Sequence, residues 1–279
     1  MPKISIVICS LNRSESLNRC LKSIEKQDYK DYEIILCQEE GNLVELKDKG
    51  WRKSKGEIVI FLDDDIEAQN NWLSNIVTIF DTRKDIIGIT GPTYVPPAYL
   101  KNRDILYETQ KRGWLIDWSK FSFRNLFRRF YNWFFLEGRQ LIPGQITSCG
   151  VNTYGANYPT IYTTKSYNVD FLEPCQFALR RWVIEKVNGF DLDYKGVGEW
   201  CDVDLCYRIK QYGLLIFHPE IKVYHYPVKD AICDKRLETA SRYRNYCRWS
   251  DKFIRKTFKH RLYRLFLKIY FFLKSLRIY

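Results

Sequence analysis

At 279 residues, 46% of them hydrophobic, the chain is long enough for one large domain plus an appendage and too apolar to be disordered. Its formal charge of +12 points to anionic partners such as a nucleotide, a phospholipid surface or nucleic acid. Nine cysteines, an odd number with no Cys-x-x-Cys pair, argue against a disulfide framework or a zinc site and fit a reducing compartment.

The N-terminus enters directly into the apolar run Ile4-Ser5-Ile6-Val7-Ile8, which predicts a strand over Ile4–Cys9 and no signal peptide. Leu17, Leu21 and Ile24 give Ser14–Gln27 a helical period with Ser14 as its N-cap. A second strand is expected at Glu33–Cys37. Gly56 then introduces Ile58-Val59-Ile60-Phe61-Leu62, apolar enough to be buried on both faces. A helix over Trp72–Phe80 and a strand over Ile86–Thr90 follow. Strands separated by helices of this length predict βαβ units around a mostly parallel sheet flanked by helices, and such sheets bind ligands beyond the carboxyl ends of their strands.

Asp63-Asp64-Asp65 stands at that edge, directly after the third strand. The plain alternative is an acidic turn or a cap before Ile66–Leu73. The position favours a ligand: hard divalent cations take oxygen donors and bind through one or two carboxylates plus phosphates, so a metal-bridged pyrophosphate is the natural occupant.

Residues 97–146 turn aromatic and basic, with Trp114, Trp118, Phe121, Phe127, Arg128, Arg129 and Trp133 among them. This reads either as a helical excursion packed on the sheet or as an insert contacting an acceptor or a membrane. Mixed α/β character returns from Val169 to Tyr226. A helix is expected at Arg181–Val187, closed by Asn188-Gly189, and another after the acidic cluster Glu199, Asp202 and Asp204. His218 and His225 end short strands. From Ile254 to Leu276 apolar residues recur every three or four positions between Arg255, Lys259, Arg261, Arg264, Lys268 and Arg277, the pattern of a basic amphipathic helix. It can pack on the body of the protein or lie in the plane of an anionic membrane, and the excess of basic residues favours the membrane. No uncharged apolar stretch approaches the roughly 18–20 residues needed to cross a bilayer. Nucleic acid is not expected, since no binding motif accompanies the charge.

Taken together, these segments resemble the inverting family 2 glycosyltransferases of GT-A fold. The resemblance covers residues 3–227 and rests on six stretches in order. They are Ile6 to Arg13; Leu21 to Gln27; Tyr32 to Leu36; Gly50 to Asp65, ending in the family's DxD; Leu179-Arg180-Arg181 with Val187 to Asp191; and Cys201 to Ile209, similar to the family's ED-x-D-L-x-x-R. The resemblance implies a catalytic domain over residues 1–230, with the 97–146 insert near the acceptor side, and a C-terminal helical region over 231–279. It also implies a nucleotide-diphosphate sugar donor, Mn²⁺ or Mg²⁺ as cofactor, a glycan or lipid-linked glycan as acceptor, and action at the cytoplasmic face of a membrane. Asp202 would be the general base, and Asp65 with His225 would hold the metal. Ser10, Asn12, Arg13, Glu39, Lys47, Asp63 and Asp64 would line the nucleotide sugar, with Glu199, Asp204 and Arg181 as secondary contributors. The family's ED reads Cys201-Asp202 here, leaving Glu199 as the substitute one turn away. A polyprenyl phosphate acceptor, needing no Asp202-type base, is the second enzymatic reading. A degenerate transferase core serving as a basic membrane- or nucleic-acid-binding module is the third.

Overall fold

The computed structural model describes residues 1–96, 99, 123–139, 142, 144–153, 165–196, 198–227 and 239–275. Trp114, Trp118 and Phe121 of the aromatic stretch, and Leu276 and Arg277 of the C-terminal pattern, lie outside the described residues.

The chain runs β1 (Ile4–Cys9), α1 (Ser14–Glu25), β2 (Tyr32–Cys37), α2 (Leu43–Lys53), β3 (Ile58–Asp63), β4 (Ile66–Ala68), α3 (Trp72–Thr82), β5 (Ile86–Thr90) and β6 (Thr93–Tyr94). Beyond these lie α4 (Phe123–Phe134), β7 (Tyr167–Asn168), β8 (Gln176–Arg180), α5 (Arg181–Lys186), α6 (Cys201–Ile209), a 3₁₀ turn, β9 (Leu214–Phe217) and β10 (Val223–His225). Two helices follow, α7 (Thr239–Phe253) and α8 (Phe258–Ser275). A seven-stranded sheet in the order β2-β1-β3-β8-β5-β9-β7 forms the centre, with β7 and β8 antiparallel to their neighbours. A small sheet, β4-β10-β6, stands beside it.

Period-two alternation sorts the strand residues between two cores. Ile4, Ile6, Ile8, Ile58, Ile60 and Leu62 face a layer containing Leu17 and Ile24 of α1 and Leu73 and Ile76 of α3. Val7, Val59, Phe61, Phe177 and Leu179 face the other, with Val44 and Trp51 of α2 and Leu205 of α6. Phe61 stacks on Phe177 at 4.8 Å and meets Phe190 edge-on at 5.2 Å. Burying one such ring is worth about 1.5–3 kcal/mol. Gly50 lets α2 lie close against the sheet: a Cβ there would fall 2.3 Å from Val7 Cγ1.

Parallel pairing aligns the carboxyl ends of the first three strands, Cys9 opposite both Cys37 and Asp63. The acidic triplet therefore opens onto one edge, together with the loops after β1 and β2. The expected N-cap moves by one residue: Arg13 caps α1 and makes no side-chain cap bond, because a guanidinium carries no acceptor for the helix N–H groups. The C-terminal period expected from Ile254 forms α8 from Phe258 onward, after a break at 254–257 that separates it from α7, a helix outside that period. Tyr246, Trp249 and Tyr263 from these two helices join the core beneath the sheet. Among the described residues no helix is long and apolar enough to cross a membrane.

Candidate active site

The site grows from the carboxyl end of β3. Leu62 closes the buried run, the Asp63 N–H donates to Cys175 O at 3.0 Å, and the chain turns through Asp64 and Asp65 into β4. Ser10 Oγ donates to Asp64 Oδ2 at 2.6 Å. Arg13 straddles the turn, donating from one nitrogen to Asp64 Oδ1 at 2.5 Å and from the other to Asp65 Oδ2 at 2.6 Å. Arg13 thus bridges the two acids and neutralises part of their charge. The small sheet delivers the last member: β10 pairs with β4 so that His225 lies opposite Ile66, and the Tyr226 N–H donates to Asp65 O. His225 Nε2 sits 3.3 Å from Asp65 Oδ1, a buried oxygen left without a hydrogen bond of normal geometry.

These carboxyls differ in proton affinity. Burial pushes Asp63 up to about 6; the Lys47 and His225 charges oppose that, and Asp65 adds to it. Burial also raises Asp64. Asp65 is raised by burial too, but the facing His225 and Arg13 overcome this and hold it at about 2. Asp65 is therefore a permanent anion at neutral pH.

The second half of the site comes from α6 and α2. Asn42 caps α2 by accepting from the Val44 N–H at 3.0 Å, and Asp48 of that helix accepts from the Phe190 N–H at 3.1 Å. This fixes Lys47, whose ammonium donates to Asp202 Oδ1 at 2.9 Å in a buried pair over the Phe177 ring. Burial would lower the Lys47 pKa, but the Asp202 charge, with Cys201 and Asp63, keeps it well above its usual value. Lys47 therefore couples the acid triplet to Asp202. Beside it the Cys201 thiol is held protonated by burial and the Asp202 charge.

The loop carrying Asp202 is bent at Trp200, which has φ +76, a left-handed backbone that bulky residues rarely adopt. Its ring stacks on Trp249 of α7 at 5.0 Å. The same helix holds Glu199 through Arg242 at 2.7 Å, the Lys195 backbone through Asn245, and Asp191 through Arg248.

The other expected contributors are either committed to partners of their own or lie on the rim of this edge. Asp204 is fully buried and accepts from Tyr194 Oη at 3.0 Å, Arg208 at 2.7 Å and Lys252 at 2.9 Å, so it is a structural anion. Glu199 is committed to Arg242. Arg181 lies at the opposite edge of the sheet, beyond Arg180, which pairs with Ile58 at the start of β3, and it bonds Ser54 and Glu185. Glu39 sits on the exposed rim, paired with Lys49 at 3.1 Å. Asn12 is exposed with φ +56 in the turn between β1 and α1.

Among the described residues no group of three or more His, Cys, Asp or Glu side chains could cage an ion unaided. The donor set here, the Asp65 carboxylate beside the His225 imidazole, suits a hard cation completing its shell with phosphate oxygens.

Comparison with known proteins bears on this geometry. The sequence profile of glycosyl transferase family 2 matches residues 5–40 and 39–141. The chain is 30% identical to a GalNAc(5)-diNAcBac-PP-undecaprenol beta-1,3-glucosyltransferase of Campylobacter jejuni, over 28% of this chain and 34% of that protein. It is 24% identical to a glucosyl-dolichyl phosphate glucuronosyltransferase of Haloferax volcanii, over 34% of this chain and 39% of that one. The chain thus spans little more than a third of the length of either relative. Among solved structures it resembles the mannosyltransferase PcManGT of Pyrobaculum calidifontis in complex with GDP-Man and Mn²⁺, with TM-score 0.54 and 14% identity, over 97% of this chain and 70% of that one. It also resembles GalNAc-T7 with UDP, GalNAc and Mn²⁺, with TM-score 0.58 and 15% identity, over 90% and 48%. The fold is that of the GT-A glycosyltransferases, and the chain belongs to glycosyl transferase family 2.

Proposed function

We propose that this chain transfers a sugar, with inversion, from a nucleoside diphosphate sugar to a hydroxyl of a glycan or lipid-linked glycan. The observation that carries the reading is Asp65 Oδ1: a buried carboxylate oxygen without a normal hydrogen bond, beside His225, at the ligand edge of the sheet. Asp65 and His225 would hold Mn²⁺ or Mg²⁺ there, and such an ion supplies charge neutralisation to the departing diphosphate. Ser10, Asp63 and Asp64 shape the donor loop around it. Asp202, oriented by Lys47, takes the proton of the acceptor hydroxyl as that oxygen attacks the anomeric carbon from the face opposite the nucleotide. The carbon–oxygen bond to the diphosphate breaks in the same displacement, so the configuration inverts once.

The two sequence relatives are named for lipid-linked and dolichyl phosphate substrates. A lipid-linked acceptor at the cytoplasmic face, reached with the C-terminal helix α8 against the membrane, extends that chemistry to this chain. The catalytic unit then corresponds to residues 1–230, with the membrane-side helices of 231–279 packed onto it through Tyr246, Trp249 and Tyr263. The buried Lys47–Asp202 pair favours a hydroxyl acceptor over a phosphate, since a phosphate nucleophile needs no base.

The test is thermal shift against UDP, GDP, dTDP and CDP with and without Mn²⁺, followed by turnover of the matching sugar donor. One nucleotide should stabilise the protein in a metal-dependent way, by about 2.7 kcal/mol at a hundred times its dissociation constant. Asp202→Asn should retain that shift and lose transfer by at least about 10²-fold. A flat panel with no donor turnover refutes the reading. A fully active Asp202→Asn returns it to the phosphate acceptor.

A further inference from the structure

Helices α4 and α8 touch along an aromatic seam. Phe127 and Tyr131 approach Phe266 at 6.2 and 6.0 Å, Phe135 approaches Tyr263 at 5.2 Å, and the Tyr131 and Tyr263 hydroxyls lie 3.4 Å apart. That seam uses one side of each helix. The other sides remain apolar and open. On α4, Phe123 is 88% exposed, Trp133 70% and Phe127 50%. On α8, Leu265 is 53% exposed, Ile269 50% and Phe272 62%, at the i, i+4, i+7 spacing of one stripe. Phe127, exposed and yet in contact with Phe266, makes the two stripes one continuous patch.

Charge decides what covers it. Neither helix contains an Asp or Glu, while their sequences carry Arg124, Arg128 and Arg129 on α4 and Lys259, Arg261, Arg264, Lys268 and Lys274 on α8. Lys259 and Arg264 are paired inward with Glu137 and Asp251, whereas Arg261 and Lys268 are exposed. A second copy of the chain would bring the exposed positive charge of Arg261 and Lys268 to the contact again. Nucleic acid would satisfy the cations but leave the protruding rings and aliphatic stripe in water. A layer of anionic headgroups over acyl chains satisfies both, and exposed aromatics beside basic residues are the composition of an in-plane interfacial helix. With no spanning helix among the described residues, and α8 about 27 Å long at 1.5 Å per residue, docking lies in the membrane plane.

We propose that α4 and α8 together form a single docking face for an anionic phospholipid surface. This rests on the membrane-side reading above and sharpens it, adding α4 as the second half of the contact. Residues Phe258–Ser275 continue from α7, which grips the Asp202 loop, so the docked face and the acceptor side of the site belong to one packed unit.

The test is co-sedimentation of the full chain with vesicles of phosphatidylcholine alone and of phosphatidylcholine mixed with phosphatidylglycerol. Partition should be at least about tenfold higher with phosphatidylglycerol and should fall as salt rises. Arg261→Gln with Lys268→Gln should lower it about thirtyfold, the equivalent of about 1 kcal/mol per basic residue. Phe123→Ser with Trp133→Ser should lower it at least tenfold while melting temperature and the nucleotide-induced shift stay unchanged. Absence of binding to the anionic vesicles, or an α4 double variant that binds as wild type, overturns the proposal. So does a dimer in sedimentation that the α4 double variant converts to monomer. Donor turnover without vesicles reports separately on the transferase reading: its retention alongside failed vesicle binding sinks the docking face alone.

Discussion

Replacing Lys47 by Met tests the link between the two halves of the site. The Lys47 ammonium lies 2.9 Å from Asp202, and the two side chains are only 7% and 10% exposed. Removing one member of a buried pair strands the other charge, at a typical cost of about 3–5 kcal/mol. Asp202 retains slight solvent contact at the site edge, so the lower end applies, about 3 kcal/mol. For a chain of this size that is a fall in melting temperature of roughly 6–12 °C. Asp202→Asn alone leaves the ammonium buried beside Asp63 and costs less, because Asp63 remains as a partner. The double variant should cost less than the sum of the singles by about 2–3 kcal/mol. Urea unfolding of all four proteins measures the cycle through the denaturation midpoints. A Lys47→Met cost below about 1 kcal/mol, or strictly additive singles, would refute the reasoning. Lys47 would then be free to face the donor phosphates, the role its sequence position first suggested.

Two further outcomes follow from the packing around the base loop. Gly198 has φ +70, and a Cβ there would fall 2.3 Å from Val44 Cγ2, so Gly198→Ala should cost about 2–3 kcal/mol and reduce transfer with it; an unchanged melting curve would show that the loop is not seated against α2. His260 is 1% exposed, and neither of its ring nitrogens has a hydrogen bond. Burial, with the Arg264 charge, lowers its pKa from 6.5. A depressed base binds its proton more readily in the unfolded chain, so stability is complete above pH 6.5 and is lost as pH falls through the folded value. His260→Leu should raise stability by about 1 kcal/mol and remove that acid-side slope; a variant whose midpoint falls in parallel with wild type between pH 7 and pH 5 would contradict it.

The edge that carries the acid triplet was legible because its signals are local. An apolar run buried on both faces, three acids directly after it and alternating helices are enough to place Asp63 to Asp65 at the carboxyl ends of β1, β2 and β3. What escaped was set by distant partners. Ser14 looks like a cap, but Arg13 takes that place while its guanidinium reaches 51 and 52 residues along the chain to Asp64 and Asp65. The antiparallel β8 interrupts the parallel order through Gln176, whose buried amide donates to the carbonyls of Gly91, Pro92 and Ile221. A five-residue strand specified by such a long-range knot carries no period of its own. The C-terminal repeat announced helix and amphipathicity, but its apolar residues divide between an inner face at Tyr263 and Phe266 and an outer one at Leu265 and Ile269, a split that spacing alone does not assign.

The acidic cluster on α6 illustrates the same division at the scale of a single turn. Asp202 and Asp204 are two residues apart, the first expected as the base and the second as a secondary contributor. At 3.6 residues per turn they are separated by about 200° around the helix and must face different neighbours. Asp202 turns to α2, where Lys47 is its hydrogen-bond partner and the acid triplet is close by. Asp204 turns to the Tyr194 hydroxyl, Arg208 and Lys252, which occupy its oxygens and seal it from solvent. One carboxylate is thereby left at the site and the other becomes the anchor that ties the base helix to α7. The left-handed turn at Trp200 sets the rotation of α6 that makes this choice, and stacking on Trp249 holds that turn in place. Which of the two carboxylates stays open therefore depends on a helix more than forty residues away in sequence, so the motif names the pair while only the fold separates their surroundings.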